Sequence, residues 1–127
     1  MSDRIEVAYS SWYNAEVAAL PDEQGVWIEQ RVRAMLAKGW RRSMADRTVA
    51  PLRDGIYELR VLGTGPAYRV LFFIMPGRSP RMVVLTACVA KSVMIKRQRL
   101  DTELKRASER RAAWIAEQRK REDDARA

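Results

Sequence analysis

Residues 54–74 read as a β-hairpin that carries two arginines into an otherwise apolar sheet. Ile56-Tyr57-Glu58-Leu59-Arg60-Val61 and Tyr68-Arg69-Val70-Leu71-Phe72-Phe73-Ile74 are strand-like runs, and Gly63-Thr64-Gly65-Pro66 between them has turn chemistry. With those four residues as the loop, Leu62 faces Ala67, Val61 faces Tyr68, and Arg60 faces Arg69. Strand side chains alternate with a period of two. Tyr57, Leu59 and Val61 therefore share a core face with Tyr68, Val70, Phe72 and Ile74. Arg60 and Arg69 fall side by side on the other face, beside Glu58. Like charges opposite each other on a sheet repel. The pair needs either Glu58 as a counter-charge or an anionic ligand.

The remaining composition narrows the chemistry. The 127 residues suit a single domain, and 47% apolar content can build one core without disulfides. The only cysteine, Cys88, has no partner within the chain and fits a reducing cytoplasm. No run approaches the ~20 apolar residues of a membrane span, and the first residues lack the apolar stretch of a signal peptide. Lys and Arg number 24 against 16 Asp and Glu, a net charge of +8, which favours a polyanionic partner. There is no histidine. That excludes His-based general acid–base chemistry and Ser-His-Asp triads, and with one cysteine it argues against a metal site. Nothing in the chain calls for a cofactor.

In chain order, residues 4–9 alternate as a short first strand. Ser10 or Ser11 caps a helix running to about Leu20, and Pro21-Asp22-Glu23 starts a second. Ile28, Val32, Met35 and Leu36 form the buried stripe of the second helix, which ends at Lys38-Gly39. Trp12, Tyr13 and Trp27 are expected to pack at the core and rim rather than to form a base-stacking platform. Residues 40–49 lose periodicity and read as a basic surface loop with Arg41, Arg42 and Arg47. After the hairpin, residues 76–80 turn the chain into a further strand over residues 81–89. If Val83, Leu85, Ala87 and Val89 face the core, Cys88 lies near Arg69 as a small buried hydrophobe. Lys91 follows, then a basic connector with Lys96, Arg97 and Arg99, and a long helix striped by Leu100, Leu104, Ala107, Trp114 and Ile115. Residues 118–127 carry charge without apolar periodicity and are expected to be a frayed helix or disordered. The order β-α-α-β-β-β-α implies an α+β domain over residues 1–117, with a mainly antiparallel sheet, an N-terminal helical hairpin and a C-terminal helix. The helices are expected mainly on one face.

Arg60 and Arg69, Lys91, and the group Lys96, Arg97 and Arg99 can converge at one end of the sheet. Such a cluster suits a phosphodiester, because guanidinium forks grip phosphate oxygens and stabilise charge in a phosphoryl transition state. RNA carries its own nucleophile, the 2′-OH, so positioning and charge stabilisation can suffice to cleave it. The competing reading is an ion network in which Glu58 merely neutralises the two arginines.

Pro51-Leu52-Arg53-Asp54-Gly55-Ile56-Tyr57-Glu58-Leu59-Arg60, then Tyr68-Arg69-Val70-Leu71-Phe72-Phe73, Lys91 and Glu103-Leu104-Lys105-Arg106-Ala107 together resemble the HigB-type, phage-related branch of the RelE/ParE toxin superfamily. The resemblance spans roughly residues 5–117. It implies a small RelE-like domain acting as a type II toxin, a ribosome-dependent mRNA endoribonuclease. It also implies a cognate helix-turn-helix antitoxin. Carried over position by position, Arg60, Arg69 and Lys91 are the implied catalytic residues. Beside these, Lys96, Arg97 and Arg99 of the basic connector, together with Arg53, are expected to bind RNA. Ala90 stands where the family commonly has a first lysine, Cys88 where it has an aromatic residue, and Leu100 where a proline is usual. These departures keep an alternative open: a weakened or inactive protein of this fold that binds an antitoxin or nucleic acid, or a ParE-like gyrase inhibitor.

Overall fold

The computed structural model describes residues 3–62, 65–94 and 97–126. Gly63 and Thr64 of the expected turn, and Lys96, lie outside the described residues. The elements in order are β1 (Ile5–Tyr9), α1 (Ser11–Ala18), α2 (Asp22–Lys38), α3 (Trp40–Ala45), β2 (Val49–Pro51), β3 (Ile56–Val61), β4 (Tyr68–Ile74), β5 (Arg81–Ala90), α4 (Lys91–Met94) and α5 (Arg97–Arg126). The five strands form one sheet in the order β1-β5-β4-β3-β2. The α+β class and the mainly antiparallel sheet expected from the sequence are present. Among the described residues only the β1–β5 pairing is parallel.

The hairpin register is the expected one, with Val61 opposite Tyr68 and Arg60 opposite Arg69. Leu59, Val61, Tyr68, Val70 and Phe72 join Tyr13, Ile28, Val32 and Met35 in one core. Ser10 caps α1, its side-chain oxygen accepting from the Tyr13 N–H at 3.1 Å.

Three features differ from the sequence expectation. The first is that helices cover both faces of the sheet. Ile56, Leu71, Phe73, Val84, Ala87 and Val89 form a second core against Leu104 and Ala107 of α5. Strands as uniformly apolar as Tyr68–Ile74 bury both faces, so one layer of helices cannot cover them.

The second is that residues 40–49 are not a loop. Gly39 adopts φ 91° and ends α2, and α3 restarts at once. The cap comes from far away in sequence: the Asp3 carbonyl accepts from the Trp40 N–H at 3.3 Å, and Asp3 Oδ1 accepts from the Arg41 N–H at 2.8 Å. Trp40 packs edge-on against Tyr57 at 5.3 Å and Phe72 at 6.2 Å. The three residues of β2 then pair with β3, opposite Tyr57, Glu58 and Leu59.

The third is a bulge in β5. Leu71 pairs with Ala87, but the next residue, Phe72, pairs with Leu85, leaving Thr86 as the extra residue. Thr86 Oγ1 donates to the Leu71 carbonyl at 3.1 Å. The bulge inverts the facing pattern beyond it. Val83 and Leu85 lie in the first core as expected, whereas Ala87 and Val89 lie in the second and Cys88 packs against the first.

β1 ends opposite Leu85, so the last residues of β5 form an edge. Glu16 of α1 and Arg110 of α5 cover it from opposite faces. Arg110 Nη1 donates to the Thr86 carbonyl at 2.8 Å and to Glu16 Oε1 at 3.0 Å, while the Cys88 N–H donates to the same Glu16 oxygen at 3.3 Å. The Thr86 carbonyl and the Cys88 N–H, which an open edge would offer to another strand, are thereby occupied. α5 continues beyond the second core to Arg126, with residues 119–126 exposed.

Candidate functional site

The end of the sheet beyond the second core carries the arginine pair. Glu58, Arg60 and Arg69 share the face that α5 covers farther along. Glu58 is 1% exposed and bridges both guanidinium groups. Arg60 Nε donates to Glu58 Oε1 at 3.1 Å and Arg69 Nη1 to Glu58 Oε2 at 2.7 Å. Each carboxylate oxygen thus holds one arginine, which offsets the repulsion expected of like charges across a strand pair. The arginines themselves reach solvent, Arg60 at 37% and Arg69 at 24%. A guanidinium has five N–H donors, so one bond to Glu58 leaves donors uncommitted to the carboxylate.

Lys91 completes the cluster. β5 ends at Ala90 opposite Tyr68, and the Lys91 N–H donates to the Ala67 carbonyl at 2.9 Å, which fixes its backbone beside the start of β4. Arg60, Leu62, Tyr68, Arg69 and Lys91 line one cavity of about 220 Å³. Three cations surround it and the Glu58 carboxylate lies beneath. The cavity can take an anion as small as a phosphate and grip it from more than one side.

The other expected residues are dispersed. Arg53 pairs with Asp101 of α5, and it precedes β3 whereas Arg60 lies near that strand's far end. Arg97 and Arg99 are exposed in the first turn of α5. Two further arginines were not assigned to the site from sequence. Arg31 of α2 and Arg47 line an adjacent hollow of about 210 Å³ with Arg60, Thr48 and Leu62. Arg31 lies beside Val32 of the buried stripe, and only the packing of α2 against the hairpin brings it there. Tyr68, expected in the core, is buried there and also walls the cation cavity.

Cys88 is not beside Arg69, because the bulge turns it to the opposite face. Arg69 pairs instead with Val89. Burial, with a smaller contribution from the Glu16 carboxylate, pushes the Cys88 thiol up to about 12. Burial and a hydrogen bond to Glu29 raise Tyr9 to about 12, and burial raises Tyr13 as well. These are neutral acids whose folded pKa lies above the unfolded value. Their stabilisation is therefore complete below the unfolded values of about 8.5 (Cys) and 10 (Tyr), and is lost as pH rises towards the folded ones. The melting temperature is expected to fall steeply above about pH 10. At about pH 8, alkylation of Cys88 is expected to be slow until denaturant is added, whereas alkylation at a free-thiol rate would contradict the assigned environment.

Residues 15–112 match the family described as phage derived protein Gp49-like (DUF891). The chain belongs to this family. The matched span contains Glu58, Arg60, Arg69 and Lys91 and ends before the exposed extension of α5. Among solved structures, the toxin–antitoxin complex RelBE2 from Mycobacterium tuberculosis is similar, with a TM-score of 0.49 and 17% sequence identity, over 67% of this chain and 95% of that one. No curated protein matches the chain in sequence. No described helix of this Gp49-like chain is long and apolar enough to cross a membrane.

Proposed function

We propose that the chain is the toxin of a type II toxin–antitoxin pair, of the HigB-like kind within the RelE/ParE superfamily, and that it cleaves mRNA on the ribosome in the cytoplasm. The observation that carries this reading is the convergence of Arg60, Arg69 and Lys91 on one cavity, with their charge organised by the buried Glu58. Membership of the phage-derived Gp49-like family and the sequence resemblance support it.

In the proposed reaction the RNA 2′-hydroxyl gives up its proton to solvent water as its oxygen attacks the adjacent phosphorus, and the bond to the 5′-oxygen breaks. The products are a 2′,3′-cyclic phosphate and a free 5′-hydroxyl. Arg60 and Arg69 bind the non-bridging oxygens and stabilise the charge that grows there. Lys91, which lines the same cavity, is the proton donor to the departing 5′-oxygen. Arg53, Lys96, Arg97 and Arg99 bind the flanking backbone. A helix-turn-helix antitoxin neutralises the protein.

The test is induced expression followed by mapping of mRNA ends, repeated in a translation extract with and without ribosomes. Growth arrest and ribosome-dependent cleavage are expected. Intact mRNA in both settings overturns the enzymatic reading in favour of a non-catalytic binding protein. Loss of supercoiling activity by purified gyrase, with intact mRNA, would identify a gyrase inhibitor instead.

A further inference from the structure

A second cavity, of about 530 Å³, adjoins the cation cluster. It lies between α2 and the β3–β4 hairpin, and its lining includes Glu23, Trp27, Arg31, Leu62, Pro66 and Tyr68. Leu62 and Tyr68 also line the cation cavity, so the two hollows share a wall. Trp27 is 37% exposed and Leu62 58%, so both present apolar surface to the groove beside the charged site. The Arg31 guanidinium lies 5.7 Å from the centre of the Trp27 ring, and its buried Nε has no hydrogen-bond acceptor among the described residues.

We propose that this groove is a nucleobase subsite, which takes the unstacked base of a nucleotide adjoining the phosphate held by Arg60, Arg69 and Lys91. Four features suit a base better than an aliphatic side chain. An indole face offers a stacking surface for any base, and Arg31 adds a cation over the same aromatic system. Pro66 and Leu62 add apolar walls at the sides. Glu23 supplies an acceptor for the exocyclic amino or ring N–H groups that bases present on their edges. The shared Tyr68 and Leu62 wall places the groove one step along a strand whose phosphate occupies the cation cavity. Single-stranded RNA has this alternation of anionic backbone and flat apolar base. Trp27 thus has a ligand-facing role beyond packing at the rim.

The inference rests on the phosphate reading of the cation cluster, and one experiment separates the two. The full chain is titrated with a short 2′-O-methyl RNA, which lacks the nucleophile, and with the same backbone carrying abasic positions. Wild-type protein is expected to bind the complete oligonucleotide about 5- to 100-fold more tightly than the abasic one. Trp27→Ala is expected to remove that difference, and Trp27→Phe to restore part of it. Arg69→Ala is expected to weaken both oligonucleotides by a similar factor. Equal binding of complete and abasic RNA by wild type overturns the base subsite, while the phosphate site survives if Arg69→Ala still weakens both. Should Trp27→Ala lose affinity for a protein antitoxin while retaining full RNA discrimination, the groove is a protein-docking surface and the inference fails. Failure of both oligonucleotides to bind overturns the subsite and the phosphate site together. Because the complete-against-abasic comparison is made on wild type, the outcome does not depend on how well a Trp27 variant folds.

Discussion

Replacing Arg69 by Ala is expected to abolish growth arrest and to slow mRNA cleavage by about 10²- to 10³-fold, the usual cost of removing one preorganised donor from a charge-stabilising site. Arg69 donates to one oxygen of Glu58 and lines the cation cavity at the same time, so its head group is both held and presented. A flexible surface arginine has to be ordered at the moment of reaction, whereas this one is already ordered by the sheet and by the carboxylate. Arg69→Lys keeps the charge but loses the planar fork, and it should recover only part of the rate. The control is Arg33→Ala. Arg33 is a well-exposed residue of α2, paired with Glu29 one turn away, and its loss lowers the net charge by the same amount. Cleavage rates in a translation extract, read beside melting temperatures, settle the matter. Full activity in a well-folded Arg69→Ala protein would remove this residue from the site.

Glu58→Ala is expected to be the most destabilising single change at the site. It leaves two guanidinium groups opposed across a strand pair, with no carboxylate between them. Breaking a buried ion pair commonly costs 3–5 kcal/mol, and partial exposure of both arginines screens some of that, so roughly 2–4 kcal/mol is expected. For a domain of this size the melting temperature should fall on the order of 10 °C. Adding Arg69→Ala to Glu58→Ala should recover part of the loss, because the double variant no longer holds like charges side by side. Glu58→Gln separates charge from shape. It preserves volume and one acceptor, but its amide NH₂ meets a guanidinium donor where a carboxylate oxygen stood. An unchanged melting temperature for Glu58→Ala would mean that the carboxylate does not hold the pair together. Loss of cleavage in Glu58→Gln without loss of fold would show that arginine positioning, and not stability alone, depends on it.

The two readings of the arginine pair left open by the sequence, counter-charge or ligand site, are not exclusive in the structure. Glu58 does offset one of the pair's two charges, yet it does so at 1% exposure, while the arginines reach solvent at 37% and 24%. A carboxylate at the surface would compete with an incoming phosphate for the same donors. A buried one leaves the outer donors available and fixes the inner ones, which is how a counter-charge becomes a positioning group.

What could be read from the chain alone is what neighbouring residues dictate. The hairpin register followed from a short loop and a period of two, and it put Arg60 opposite Arg69. The cap of α1 and the buried stripe of α2 followed from residues within a few positions of each other. Other features depended on partners distant in sequence. Asp3 caps α3 across 38 residues, α5 buries the second face of the sheet, and at the bulge Thr86 donates to the Leu71 carbonyl and accepts from Arg110. That bulge moved Cys88 away from Arg69, since one inserted residue reverses every later side chain in a strand. The sequence by itself therefore determined the α+β class, the hairpin and the identity of its paired arginines, because alternation and turn chemistry act over a few bonds. Only the tertiary structure decided that Lys91 lines a cavity with them, that Arg53 pairs with Asp101 of α5, and that Trp27 and Arg31 line hollows beside that cavity, because those placements come from packing α2, α5 and the sheet around two cores.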